Sequence, residues 1–412
     1  MKSNYKKIAS YEAKGKIDKV LLLYSGGLDT SVMIKWLMDE YGAEVTTLTV
    51  NIGQRDENFD EIEQKALNLG VKKAVVLNVQ EPFAADYLTK AIMANADYQG
   101  GGYHLFCPLG RIIIAEKAVE VAKQEGISVI AHGATGKGND QVRFDSYITT
   151  IDPSIKILAP VREWQLTRKE ELAYAKKHNI PISNHSKLYS YDENLWGNSA
   201  EGGEIEDIKL EPELDKILIQ NELPVRAHGE PATVSIDFVE GVLMALNGQK
   251  IDIVNMVKAL TALGSAHGVG TTYLTEDRIV GLKVRGIYEQ PAARILITAP
   301  KELEKLVSTF EEHEFKSYVD NKWATMCYKA QWFNPLMDNL NLFIKAANKK
   351  VTGTVKCLLY KGSVHVVSID SPYSLVDSEM ASFDSHEFNQ QASAGFIEQY
   401  SLQSRMVRLH LS

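Results

Sequence analysis

Two short glycine-rich segments gather the residues of this chain that could do chemistry. The first, Ser25-Gly-Gly-Leu-Asp-Thr-Ser31, sets two glycines, three hydroxyls and a carboxylate between an apolar run and an amphipathic one. Glycines let a backbone come close to an anion, and successive N–H groups at a turn that opens a helix form a phosphate cradle. Ser25, Thr30 and Ser31 add hydroxyl donors. Asp29 is out of place beside an anion unless it orients the loop or faces a metal ion carried by the phosphates. No Gly-Lys-Ser/Thr follows, as in a Walker loop, and the Gly-x-Gly-x-x-Gly spacing of dinucleotide sites is absent. A Gly-Gly turn before a helix is also ordinary structure; the hydroxyls around it favour phosphate. The second segment, His132-Gly-Ala-Thr-Gly-Lys-Gly-Asn-Asp-Gln-Val-Arg143, joins three glycines to Lys137, Asn139, Asp140 and Arg143. Such a cluster of amide, carboxylate and guanidinium suits a polar ligand better than a plain surface loop.

Both segments need strands behind them. Lys19 to Tyr24 is an apolar run suited to a strand buried on both faces, and Thr30 to Tyr41 places Val32, Met33, Trp36 and Leu37 at helical spacing. Strands over Glu44–Val50 and Lys73–Val79 flank a helix from Phe59 to Leu69. A helix over Leu109–Gln124, a strand over Ile127–Ala131 and a short strand over Ile155–Leu158 continue the alternation. Thr167-Arg-Lys-Glu170 reads as a capping box opening a helix to His178. Alternating strands and helices predict a parallel sheet covered on both faces, with ligands at the carboxyl ends of its strands. After Pro181 the pattern changes. Strands over Thr233–Phe238 and Val355–Leu359, and helices over Ile251–Leu263, Lys301–Glu311 and Asn334–Ala347, predict an α+β second domain. Phe396, Ile397, Tyr400 and Leu402 form an apolar stripe near the end, which must pack on its own domain or on a neighbouring subunit.

Composition removes several function classes. A length of 412 residues suggests two or three domains, and 45% hydrophobic with 24% charged residues is the balance of a folded globular protein. The net charge of −8 argues against nucleic-acid binding, and no apolar run approaches the roughly 20 residues of a membrane span. The three cysteines, Cys107, Cys327 and Cys357, have no metal-ligand spacing, which predicts no protein-held metal site and a reducing, cytoplasmic setting. Residues 1–18 read as a solvated leader.

The Ser-Gly-Gly-Leu-Asp stretch resembles the signature of N-type ATP pyrophosphatases, which split ATP between its α and β phosphates and transfer AMP. With the second segment, the chain resembles the argininosuccinate synthase family from about Lys19 onward. Further motifs carry the resemblance: Asn51-Ile-Gly-Gln54, Ala159-Pro-Val-Arg-Glu-Trp164, Tyr191-Asp-Glu-Asn-Leu-Trp196, His267-Gly-Val-Gly270, Arg285-Gly-Ile-Tyr-Glu289, Trp332-Phe-Asn-Pro335 and Ser371-Pro-Tyr-Ser-Leu375. The resemblance implies an α/β fold. An adenine nucleotide alpha hydrolase-like domain at 19–180 would precede an α+β synthetase domain at 181–383 and an oligomerisation segment at 384–412. It implies ligation of citrulline to aspartate with ATP and Mg²⁺, through a citrullyl-adenylate, in a homotetramer. ATP contacts carry over to Leu23, Tyr24, Ser25, Gly26, Gly27, Leu28, Asp29, Thr30, Ser31, Val50 and Gly133. Thr135, Asn139 and Asp140 would hold aspartate. Tyr103, Pro108, Asn139, Arg143, Ser190, Ser199, Glu276 and Tyr288 would hold citrulline. Asp140, Arg143 and Asp29 are the candidate catalytic residues, Asp140 orienting the aspartate amine.

The departures from the family pattern lie near the amino-acid substrate. Phe106-Cys107-Pro108 stands where glycine and two small residues are usual, Val284 stands for a serine, and Arg294 for a small residue. An altered substrate such as an N-acylated citrulline, with Arg294 meeting the added carboxylate, is the alternative these raise; Glu276, a partner for a free α-ammonium, speaks against it. More distant alternatives are an adenylating enzyme acting on a nucleotide or tRNA, and an inactive ATP-binding sensor.

Overall fold

A computed structural model describes residues 17–55, 57–164, 168–181 and 188–411. The leader expected at 1–18 falls almost wholly outside them, as does Thr167 of the expected capping box. Strands β1 (Lys19–Leu23), β2 (Glu44–Asn51), β3 (Lys73–Asn78), β4 (Val129–Ala131) and β5 (Lys156–Leu158) form one parallel sheet in the order β3-β2-β1-β4-β5. Strand side chains alternate between faces, so β1 feeds two cores. Val20, Leu22 and Tyr24 pack with Val32, Met33 and Trp36 of helix α1 (Leu28–Tyr41). Leu21 and Leu23 pack on the other face, with Leu109, Ile112 and Ile113 of the helix Phe106–Gln124. Strand order reverses at β1, which lies between β2 and β4. A crevice therefore opens at the carboxyl ends of β1 and β4, where both glycine-rich segments begin.

The second half contains two antiparallel sheets. One, ordered β10-β11-β7-β6, comprises β6 (Ser190–Asn194), β7 (Gly197–Glu201), β10 (Thr271–Asp277) and β11 (Lys283–Glu289). The other, ordered β13-β12-β8-β9, comprises β8 (Ala232–Val239), β9 (Val242–Leu246), β12 (Gly353–Tyr360) and β13 (Ser363–Asp370). The hairpin β6–β7 docks on the parallel-sheet half. Leu195 donates its N–H to the Ile52 carbonyl at 2.9 Å, and Asn194 Nδ2 donates to the Phe106 carbonyl at 2.8 Å. Gly53, at φ +94°, leaves no room for a side chain there, since a Cβ would lie 2.8 Å from that of Leu195.

Three elements differ from the sequence expectation. A helical stretch over Gln80–Pro82, Phe83–Leu88 and Thr89–Met93 was not expected; its middle piece is π-helical, which displaces the apolar periodicity. The single helix expected at 301–311 is two, Pro291–Val307 and Phe310–Tyr328, parted where Thr309 and Glu312 form a capping box. The second glycine-rich segment ends earlier than Arg143, because a helix starts at Asp140. The terminal helices Gln390–Tyr400 and Leu402–Leu411 carry no buried residue, and Phe396, Ile397 and Tyr400 are 64%, 62% and 78% exposed. Their apolar stripe does not pack on this chain's own domain.

Candidate active site at the carboxyl edge of the parallel sheet

The first loop is built from backbone and hydroxyls. Gly27 is the N-cap of α1 and makes no side-chain cap hydrogen bond, so backbone rather than a capping side chain opens the helix. Ser25 Oγ lies 3.1 Å from Thr30 Oγ1, Ser31 Oγ donates to the Gly27 carbonyl at 2.6 Å, and Tyr24 Oη meets Ser31 Oγ at 3.1 Å. Gly26 has φ +76°, a glycine conformation, and a Cβ there would meet Ile62 at 2.9 Å. Asp29 is exposed in the first turn of α1, where a carboxylate complements the helix dipole. Gly133 abuts this loop: a Cβ on it would lie 3.4 Å from Thr30 Cγ2. Val50 is buried on β2, two residues past the pairing of Leu48 with Leu23. Lys65, not anticipated, donates Nζ to the Gly26 carbonyl at 2.6 Å.

Beside it lies a cavity of about 260 Å³ whose lining includes Tyr103, Thr135, Asn139, Asp140, Arg143, Ser190, Ser199, Glu276 and Tyr288. Nine residues drawn from distant parts of the chain thus share one wall. Strand register explains part of this, because Asp192 pairs with Ser199 and Ser199 with Tyr288, a row across three strands. Asp140 and Arg143 sit three residues apart on the first helical turn and pair at 2.9 Å.

The cavity is wired by charge. Arg111 donates Nε to Asp140 Oδ2 at 2.9 Å and Nη2 to Asp192 at 2.6 Å. Burial pushes the Asp140 carboxyl up, but the Arg111 and Arg143 guanidiniums outweigh it and hold the group below the usual carboxylate range. Asp140 is therefore a fixed anion that orients donors and takes up a proton poorly. Glu276, only 5% exposed, accepts from the hydroxyls of Tyr288 and Tyr328 and from Asn139 Nδ2 at 3.3 Å. Asn139 Nδ2 also donates to Tyr328 Oη at 2.8 Å, and its Oδ1 accepts from the Ile279 N–H at 2.8 Å. Burial raises the Tyr103, Tyr288 and Tyr328 phenols well above their ordinary range, so each stays protonated and able to donate.

Family models match both halves of the chain, "Arginosuccinate synthase N-terminal HUP domain" over residues 19–181 and "Arginosuccinate synthase C-terminal domain" over 189–407. The chain belongs to the argininosuccinate synthase family. Similar proteins include the argininosuccinate synthase of Methanocaldococcus jannaschii, 45% identical over 389 residues that cover 94% of this chain and 98% of that protein. Those of Picrophilus torridus and Pyrococcus furiosus are 44% and 46% identical, covering 93% and 94% of this chain and 95% and 93% of theirs.

The segment Phe106-Cys107-Pro108, singled out in the sequence as unlike the family pattern, opens the helix beside this cavity. Phe106 is fully buried and packs edge-on against Tyr103 and Tyr288, which stack on each other with centroids 4.3 Å apart. Pro108, expected at the substrate, is buried in the first turn of its helix and is not among the lining residues. Proline fits there because first-turn N–H groups have no intrahelical partner. Cys107 does line the cavity, with Sγ 3.5 Å from Asp140 Oδ1 and from Arg143 Nη1. Its thiol is pushed up by burial. Cys107, Asp140 and Asp192 converge within 4.8 Å, yet Arg111 and Arg143 already neutralise the carboxylates. A buried thiol and two guanidiniums do not suit Mg²⁺, which takes oxygen ligands. Arg294 is exposed on the helix Pro291–Val307 and is not among the lining residues; Val284 faces Glu276 across the β10–β11 ladder.

Sequence reasoning missed Arg111, Asp192, Tyr328 and Lys65 as site residues. Asp192 lies inside a segment that carries the family resemblance, Arg111 three residues after Pro108, and Tyr328 four residues before Trp332. Nothing in their local sequence signals the cavity.

Proposed function

We propose that this chain joins citrulline to aspartate with ATP, releasing argininosuccinate, AMP and pyrophosphate. The observation that carries the reading is the adjacency of a hydroxyl-rich anion loop to a cavity with a fixed carboxylate, Glu276, and an ion-paired Asp140–Arg143 turn. ATP enters as its Mg²⁺ complex, its phosphates on the N–H groups and hydroxyls of Ser25 to Ser31, with Val50 and Gly133 completing the nucleotide site. The citrulline ureido oxygen attacks the α-phosphorus; a P–O bond forms, and the α–β bond breaks with its electron pair leaving on pyrophosphate. The aspartate amine then attacks the ureido carbon and AMP departs with the C–O electron pair, the amine proton passing to solvent. Glu276 holds the citrulline α-ammonium. Thr135, Asn139 and Asp140 hold aspartate, and Asp140 turns the neutral amine toward the carbon. Catalysis on this reading is alignment and charge stabilisation.

Residues 19–180 serve as the nucleotide domain, 181–383 as the synthetase domain, and 384–412 as the segment that joins copies into a homotetramer. The exposed stripe at Phe396, Ile397 and Tyr400 supports that assembly. Free Cys107, Cys327 and Cys357 support a cytoplasmic setting. Pyrophosphate release with each substrate omitted in turn tests the chemistry: turnover should need ATP, citrulline and aspartate together. Steady release without citrulline, or release that requires tRNA, would overturn it. A chain ending at Ala394 should elute from a sizing column as a smaller species.

A further inference from the structure

We infer that Lys65, on helix α2 (Phe59–Asn68), is a positioning residue for the pyrophosphate loop; this rests on the adenylation reading above. Its Nζ donates to the Gly26 carbonyl at 2.6 Å. No peptide bond among the described residues is cis. In a planar trans peptide the C=O of one residue and the N–H of the next point to opposite sides. Holding the Gly26 carbonyl toward α2 therefore turns the Gly27 N–H away from it. On that far side Gly27 N lies 3.4 Å from Ser25 Oγ, which lies 3.1 Å from Thr30 Oγ1. One N–H, here donated to Ser25 Oγ, and two hydroxyls thus gather on the face of the loop turned away from α2, the face that can take an anion.

The clamp is needed because of what it clamps. Gly26 and Gly27 form a glycine pair whose shared peptide turns over with little steric cost, and the wrong orientation would aim a carbonyl at the phosphates. Helix α2 braces the loop twice, through Lys65 and through Ile62, which lies 2.9 Å from where a Gly26 Cβ would be. The loop from Leu23 to Ser31 contains no Lys or Arg of its own. Lys65 supplies a cation at its edge, and a charged donor makes the stronger hydrogen bond.

Lys65→Met keeps an unbranched stem and removes the donor. The KM for ATP and the inhibition constant of magnesium pyrophosphate should rise together by about tenfold, while the KM values for citrulline and aspartate stay within about twofold. Lys65→Arg should recover most of the loss. Unchanged ATP and pyrophosphate constants would overturn the inference. So would a uniform rise in all three KM values with a lowered melting temperature, the mark of a merely structural residue. If the Met variant does not fold, Lys65→Ala, which also removes the donor and suits a helix, carries the same readout. A wild-type enzyme that releases no pyrophosphate would sink the adenylation reading itself, whereas an active wild type with an unaffected Met variant sinks this inference alone.

Discussion

The two halves of the site hold charge in opposite ways. The loop from Ser25 to Ser31 has no basic side chain, and its contacts are hydroxyl and backbone pairs between 2.6 and 3.5 Å in a partly exposed turn. The amino-acid cavity instead sets Arg111, Arg143, Asp140, Asp192 and Glu276 in a largely buried network. A distributed set of neutral donors, each worth about 0.5–1.5 kcal/mol, suits a group that must arrive bound and leave free. A concentrated network suits a substrate whose orientation decides the reaction, because its partners are fixed beforehand. The two designs should also fail differently, since a lost hydroxyl is one donor among several, and a lost buried charge leaves its partner unpaired.

The largest effect should therefore come from Arg143→Gln. Arg143 is 2% exposed, pairs with Asp140 and donates to the Tyr328 carbonyl at 3.3 and 3.4 Å. Breaking a buried pair by removing one partner costs about 3–5 kcal/mol of stability, which should show as a marked fall in melting temperature together with loss of turnover. Asp140→Asn should follow, with a pH signature. The folded Asp140 carboxyl lies below its unfolded value, so its contribution is complete above the unfolded pKa of about 3.9 and fades as pH falls toward the folded one. The melting-temperature gap between wild type and Asp140→Asn should be flat above about pH 5 and close below about pH 4. A gap that widens with acid would place Asp140 outside the ion-pair network.

Tyr328→Phe probes the join between substrate contact and support. The hydroxyl bonds both Glu276 and Asn139, the ring stacks on Tyr98 at 3.6 Å, and the Arg143 guanidinium lies 5.1 Å from the ring centroid. Phenylalanine keeps the ring and the backbone carbonyl and frees one lone pair of Glu276. The KM for citrulline should rise about tenfold, with the KM for ATP within about twofold, in steady-state assays varying each substrate. Equal changes in both would mean that Tyr328 supports the whole fold rather than the pocket.

What could be read in advance follows the same division. The loop was legible because its donors are consecutive in the chain, so glycines and hydroxyls at 25–31 declare themselves in one window. The strands behind it were legible because a doubly buried parallel strand is a plain apolar run, as Lys19–Tyr24 is. The cavity was legible in part, through Asn139, Asp140 and Arg143 of the second glycine-rich segment, and for Tyr103, Ser190, Ser199, Glu276 and Tyr288 only through the family resemblance. Tyr328 reaches Glu276 from the end of a helix, and Asp192 reaches Arg111 from a hairpin, contacts set by packing and strand register rather than by local spacing. The π-helical stretch at Phe83–Leu88 hid its helix by shifting the apolar face, and Thr309 hid a boundary where two helices abut in sequence. Pro108 was carried over as a citrulline contact from its place in the family motif alone; that place is a first helical turn whose side chain is buried away from the cavity lining, where a missing N–H costs little.

Two smaller effects test how sharply the division holds. Ser25→Ala removes one hydroxyl from the loop and leaves Thr30 and the backbone N–H groups, so the KM for ATP should rise only about three- to fivefold. Cys107→Ser should do less. The thiol sits between the two systems, 3.5 Å from both Asp140 and Arg143, but burial keeps it protonated and thiols are weak donors. It therefore contributes neither charge nor a strong bond, and a hydroxyl in its place should change the KM for citrulline by no more than about threefold. The same assay compares citrulline with N-acetylcitrulline, whose blocked amine cannot offer Glu276 an ammonium. With Arg294 exposed and absent from the cavity lining, and Glu276 placed to meet a free ammonium, wild type and Cys107→Ser alike should prefer the free amino acid. A preference for the acylated substrate in wild type, reversed by Cys107→Ser, would show that Cys107 decides specificity and that the amino-acid cavity is not governed by its charges alone.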